Sequence, residues 1–160
     1  MQSIMNELSI EQTPRTPQID LNHLTGDLTF YGKSIPENAA KVYEPVLNWL
    51  KEYIQEARPI TNLRLNLEYY NTASTIWFTK ILKVLMLIKQ PEYALILHLY
   101  LPIEDFEEID DFDDIKDAFL PVSNIDPNGI GIEIRLYGID DRGEIIKERL
   151  VFIECEQIIN

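Results

Sequence analysis

The segment from Ala94 to Leu101, Ala-Leu-Ile-Leu-His-Leu-Tyr-Leu, is apolar at nearly every position. A strand with one wet face alternates polar and apolar residues, so a strand that does not alternate is covered on both faces, in the middle of a sheet. A second segment has the other pattern. Leu63, Leu65, Leu67 and Tyr69 alternate with Arg64, Asn66, Glu68 and Tyr70, the period of a strand buried mainly on one face. Between the two, from Ala73 to Lys89, Ile76, Trp77, Ile81, Leu82, Val84, Leu85 and Ile88 recur at helical spacing, and Pro91 closes the run. Strand, helix and strand therefore follow one another in this order.

The flanking sequence extends this frame. Ile19-Asp20-Leu21 and Leu28-Thr29-Phe30-Tyr31 surround a turn at Thr25-Gly26-Asp27 and predict a hairpin. Ser34-Ile35-Pro36-Glu37 has capping-box spacing. The helix it predicts carries Ala39, Val42, Tyr43, Val46, Leu50, Tyr53, Ile54 and Ala57 on one face, with Trp49 at its edge as a core residue. Pro45 lies inside it and predicts a kink or a restart. Residues 104–117 are strongly acidic, with Phe106, Ile109, Phe112 and Ile115 three apart, and fit a short amphipathic helix or an ordered loop equally well. Ile130, Ile132, Ile134 and Leu136, a turn at Asp140 to Gly143, and Ile145 to Ile153 predict a second, C-terminal β-hairpin. Residues 1–12 read as a flexible tail, and 13–160 as a single domain in which 130–154 is an added hairpin.

Composition narrows the function. The 160 residues suit one domain, and 27 acidic against 14 basic residues give a net charge of −13. That charge repels nucleic acid and anionic membrane surfaces, which makes a basic protein partner the easier fit, although solubility alone would also explain it. No apolar run is long enough for a membrane helix, and the first residues lack the pattern of a signal peptide, so a cytoplasmic location without membrane insertion is expected. Cys155 is the sole cysteine, and it reads as a packing residue.

The residues for catalysis are sparse. Of the two histidines, His23 falls in a turn and His98 in the core strand, a poor basis for a shared general base. The acidic segment lacks the spacing of a calcium loop, and neither the dinucleotide fingerprint nor the P-loop pattern occurs. No enzyme, cofactor or metal site is expected. What remains is Asn71-Thr72-Ala73-Ser74-Thr75, where a strand feeds a helix. Thr72 can be read as the helix N-cap, with no further role. It can also be read as a phosphorylation site, because the positive end of a helix tolerates the ~1.5 to 2 negative charges of a phosphate. The residues alone leave both readings open.

Several stretches in order carry a resemblance: Thr13-Pro14-Arg15-Thr16-Pro17, the Thr25-Gly26 turn, Gly32-Lys33-Ser34-Ile35-Pro36-Glu37-Asn38-Ala39, Tyr43-Glu44-Pro45-Val46-Leu47-Asn48-Trp49-Leu50, and Leu67-Glu68-Tyr69-Tyr70-Asn71-Thr72-Ala73-Ser74. In these the chain resembles the SiaC family of bacterial regulatory phosphoproteins. The resemblance implies a STAS-like α/β domain, a mixed sheet with helices packed on it, similar to anti-anti-sigma factors. It also implies that Thr72 is phosphorylated by a dedicated protein kinase and released by a PP2C-type phosphatase. The unmodified form would bind and activate a target, which points to a diguanylate cyclase and cyclic-di-GMP signalling, with Tyr70, Asn71, Ala73 and Ser74 around Thr72 as partner-binding residues. Tyr70 and Ala73 stand where Phe and Ser are usual, and the sequence from Pro102 onward is less familiar. The alternatives are a constitutive acidic scaffold in which Thr72 only caps a helix, and a small enzyme.

Overall fold

The structure, a computed structural model, describes residues 5–109 and 128–152. Seven strands form one sheet in sequence order: β1 Leu8–Ile10, β2 Gln18–Asn22, β3 Asp27–Ser34, β4 Ile60–Tyr70, β5 Ala94–Pro102, β6 Gly131–Ile139 and β7 Ile145–Phe152. Strands β3 to β6 run parallel, whereas β1, β2 and β7 pair antiparallel at the two ends. Helices α1 Ala39–Tyr53 and α2 Thr72–Leu85 make the crossovers between β3, β4 and β5, and a short helix α3 Ile103–Glu108 follows β5. Parallel crossovers are right-handed, so strands laid down successively in one direction put their helices on one face. α1 and α2 accordingly pack side by side.

The core lies between that face and the helices. Leu28, Phe30, Leu63, Leu65, Leu67, Leu95, Leu97 and Leu99 from the strands meet Tyr43, Val46, Leu50 and Tyr53 of α1 and Phe78, Ile81, Leu82 and Leu85 of α2. Tyr43 and Phe78 meet edge to face at 5.6 Å, which locks the helices together through aromatic contact. β5 is buried on both faces, as its sequence predicts, because Ile96 and His98 on the side away from the helices are buried too. His98 bonds Tyr137 of β6 through Nδ1 at 2.7 Å and Asn62 of β4 through Nε2 at 2.9 Å.

Four expectations change. Leu8–Ile10, inside the segment expected as a tail, forms strand β1 against β2. Ser34 does not cap α1: it ends β3 opposite Tyr70, and Asn38 is the cap, accepting from the Lys41 amide at 3.3 Å. α1 does not restart at Pro45 but runs through it. In α2, Ile76 faces solvent at 53% exposure and Phe78 is buried instead. The buried positions are 74, 78, 81, 82 and 85, so a buried polar residue, Ser74, sets the phase of the helix.

The predicted hairpins are present, and β6 pairs with β5 along nine residues, so the C-terminal hairpin is built into the sheet. Gly26 stands in the β2–β3 turn at φ +77, where a side chain would collide with the Ile60 carbonyl. Of the acidic segment, residues 110–117 lie outside the described residues, as does Cys155; residues 104–108 belong to α3.

Candidate functional site

Strand β4 ends at Tyr70, and the chain turns into α2 through a single residue, Asn71, whose backbone is extended (φ −98, ψ 175). Asparagine suits this position because its side-chain oxygen can take an orphan amide of the first turn. Here it accepts from the Ser74 amide at 2.9 Å, while the Asn71 carbonyl accepts from the Thr75 amide at 3.1 Å. Asn71 is therefore the cap, and Thr72, which the sequence also allowed as the cap, is the first helical residue. Thr72 is exposed, and among the described residues its hydroxyl has no hydrogen-bond partner. It is left available for chemistry.

Beneath Thr72 the opposite holds. Ser74, expected on a partner-binding surface, is fully buried, together with Ser34 of β3 and Tyr43 of α1. The Ser74 hydroxyl lies 2.7 Å from the Ser34 hydroxyl and 2.8 Å from both the Ser34 carbonyl and Asn71 Oδ1. The Ser34 hydroxyl in turn lies 2.5 Å from that of Tyr43. Burial pushes the Tyr43 phenol up to about 12, against the opposing effect of its bonds to Ser34 and Ser74, so it keeps its proton at neutral pH. The sequence pattern put Ser34 in a capping box and Tyr43 in a core stripe, and neither of them at this site. The available signal was a tyrosine in an otherwise apolar stripe, since a buried phenol requires a partner.

One peptide unit joins the junction to a distant loop. The Ser34 carbonyl accepts from the Asn71 amide at 3.0 Å, and the Ile35 amide of the same unit donates to the Arg15 carbonyl at 2.9 Å. The Thr13–Pro17 motif, closed by the bond from the Thr13 amide to the Thr16 carbonyl, is thus anchored next to the start of α2. Arg15 pairs with Glu37 at 2.6 Å.

The surface around Thr72 is aromatic and apolar. Ala73 is exposed, Tyr70 is 42% exposed, and Ile76 lies one turn along the same helix face. Tyr70 rests edge-on against Phe78, and burial followed by the Asp105 carboxylate raises its pKa. Exposed aromatic residues of this kind are the usual anchors of protein interfaces. Thus Tyr70, Asn71, Thr72 and Ala73 come together at one surface, and Ser74 does not reach it.

The rest of the molecule offers less for catalysis. Both nitrogens of His98 are engaged, and burial, followed by the charges of Arg64 and Arg135, lowers its pKa to about 4 against a smaller opposing effect of Asp27. Among the described residues no three His, Cys, Asp or Glu gather as a metal site, and no helix is long and apolar enough to cross a membrane.

Comparison with known proteins gives the family and fold in which this junction sits. The family model described as SiaC family regulatory phosphoprotein matches residues 10–125. An uncharacterised protein of Pseudomonas aeruginosa strain UCBPP-PA14 is 33% identical over 70 residues, which span 44% of this chain and 56% of that protein. The chain therefore matches little more than half the length of this relative. The fold is similar to the crystal structure of apo-SiaC from Pseudomonas aeruginosa, with a TM-score of 0.59 and 28% identity over 65% of this chain and 86% of that one. It is equally similar, at a TM-score of 0.59 and 25% identity over 70% of this chain and 92% of the other, to a chain in the structure of the diguanylate cyclase SiaD in complex with its activator SiaC from the same organism.

Proposed function

This chain belongs to the SiaC family of regulatory phosphoproteins, and on that premise we propose that it is a non-catalytic regulator that binds and activates a signalling enzyme while Thr72 carries a free hydroxyl. The observation that carries the reading is the contrast at the junction: Thr72 is exposed with an unengaged hydroxyl, while the residues around it are held by the cap and the cluster below. A kinase needs such a hydroxyl. The partner it favours is a diguanylate cyclase, because the similar SiaC is the activator of one. A protein kinase would add the phosphate and a PP2C-type phosphatase would remove it.

Electrostatics gives the direction of the switch. A phosphate adds ~1.5 to 2 negative charges to a chain already at −13. It would do so between Tyr70 and Ile76, on a surface that must shed water to dock. The phosphorylated form is therefore the one that releases its partner, and the location that suits this exchange is the cytoplasm.

The test has two parts. Phosphosite mapping of the protein purified from its own cells should find phosphate on Thr72, and its absence there would sink the reading. In a binding assay with the cyclase encoded in the same genome, Thr72→Ala should bind like the unmodified protein, and Thr72→Asp should bind at least about tenfold more weakly. Equal binding by both would favour a constitutive scaffold instead. That alternative can no longer give Thr72 the cap, which is Asn71.

A further inference from the structure

A cluster of buried hydroxyls lies under Thr72. Four side chains from three elements and the loop between them converge there: Tyr43 from α1, Ser34 from β3, Ser74 from α2, and Asn71 from the junction. Proton accounting gives the cluster a direction. Asn71 Oδ1 and the Ser34 carbonyl can only accept, so the one Ser74 proton goes to one of them. The Ser34 hydroxyl must then donate to Ser74, and Tyr43, which keeps its proton, donates to Ser34. The donors run from Tyr43 through Ser34 to Ser74, which sits within reach of the cap, and each hydroxyl's proton fixes the direction of the bond before it.

We infer that Tyr43 and Ser74 are positioning residues for phosphoryl transfer to Thr72: through Asn71 they hold the first turn of α2 in the backbone geometry that a protein kinase accepts. The inference rests on the reading of Thr72 as the phosphoacceptor. Its physical basis is that transfer requires the accepting oxygen in line with the donor phosphate, where a displacement of about 1 Å costs up to about a hundredfold in rate. Among the described residues the Thr72 hydroxyl has no bond of its own to fix it. Its position comes from the cap on one side and the helix on the other.

Tyr43→Phe keeps the ring contacts with Phe30, Trp77 and Phe78 and removes only the terminal donor. Ser74→Ala removes the link to the cap. Each full-length protein, purified unmodified, is returned at a series of concentrations to an ATP-supplemented extract of the cells it comes from, and phosphate on Thr72 is followed by peptide mapping. Amide exchange at Ser74 and Thr75, the two amides held by Asn71, is measured on the same samples. The expected result is a maximal rate about tenfold lower in both variants, with little change in the concentration at half-maximum and faster exchange at both amides. If the variants stay folded and accept phosphate as fast as the parent, the inference falls while the reading of Thr72 stands. If the parent itself takes no phosphate on Thr72, that reading falls and takes the inference with it. Should Ser74→Ala fail to fold, Tyr43→Phe alone decides.

Discussion

Neighbouring residues 71 and 72 divide two tasks that one side chain often performs. Asn71 spends its side-chain oxygen on the Ser74 amide, with the Ser74 hydroxyl 2.8 Å from the same oxygen. The Thr72 hydroxyl bonds to no other described residue. Asn71→Ala should therefore cost about 1 kcal/mol, the loss typical of a cap, since the Ser74 hydroxyl keeps the Ser34 carbonyl as its acceptor. Thr72→Ala should stay within about 0.5 kcal/mol of the parent, as exposed substitutions do. Urea denaturation of the two variants beside the parent checks the difference, and equal losses would mean that Thr72 shares the capping. The polar run 71–75 was legible in the sequence as a helix start, but which residue caps it was not. Asparagine and threonine both cap well, and the choice depends on Ser74 being drawn inward by Ser34, forty residues away.

At the scale of the elements, strands were easier to read than helix faces, because alternation has a short period that a few residues establish. The phase of α2 was misread because its first buried position is a serine, which no apolar pattern includes. β1 was missed because three residues cannot show a period. The strand β7 was read correctly and raises a separate issue, since among the described residues it ends the sheet and leaves Ile145, Ile146 and Leu150 exposed. An antiparallel pairing of two copies centred on Glu148 would set Glu148 against Glu148 and Lys147 against Arg149. Like charges directly opposite are destabilising, and charged residues protect edges in this way. Replacing both Lys147 and Glu148 by valine should convert β7 into a self-pairing edge. Light scattering should then show concentration-dependent association that the parent lacks, and a monodisperse variant would show that the charges do not guard the edge.

For the whole molecule, the middle of the sheet is tied by polar bonds as well as by its core. Asn62 of β4, His98 of β5 and Tyr137 of β6 are linked side chain to side chain. The sequence placed His98 in the middle of the sheet, but its partners come from strands 36 and 39 residues away, which no local pattern reveals. His98 must stay neutral to accept from Tyr137 while donating to Asn62, and its lowered pKa fits that state. The unfolded chain binds this proton more readily than the folded one between about 6.5 and about 4. The stability it contributes is therefore complete above 6.5 and is lost as pH falls through that window. Urea midpoints measured at pH 7 and pH 5 should drop for the parent and drop less for His98→Gln. Equal drops would assign the acid sensitivity to other groups.

The peptide between Ser34 and Ile35 has committed its carbonyl to Asn71 and its amide to Arg15. A peptide plane is rigid, so it cannot rotate toward one loop without withdrawing from the other, and it acts as a rivet through two plates. Strain applied to the Thr13–Pro17 loop is carried to the cap of α2 with no side chain as intermediary. Whatever grips that loop also has a hold on the turn that presents Thr72.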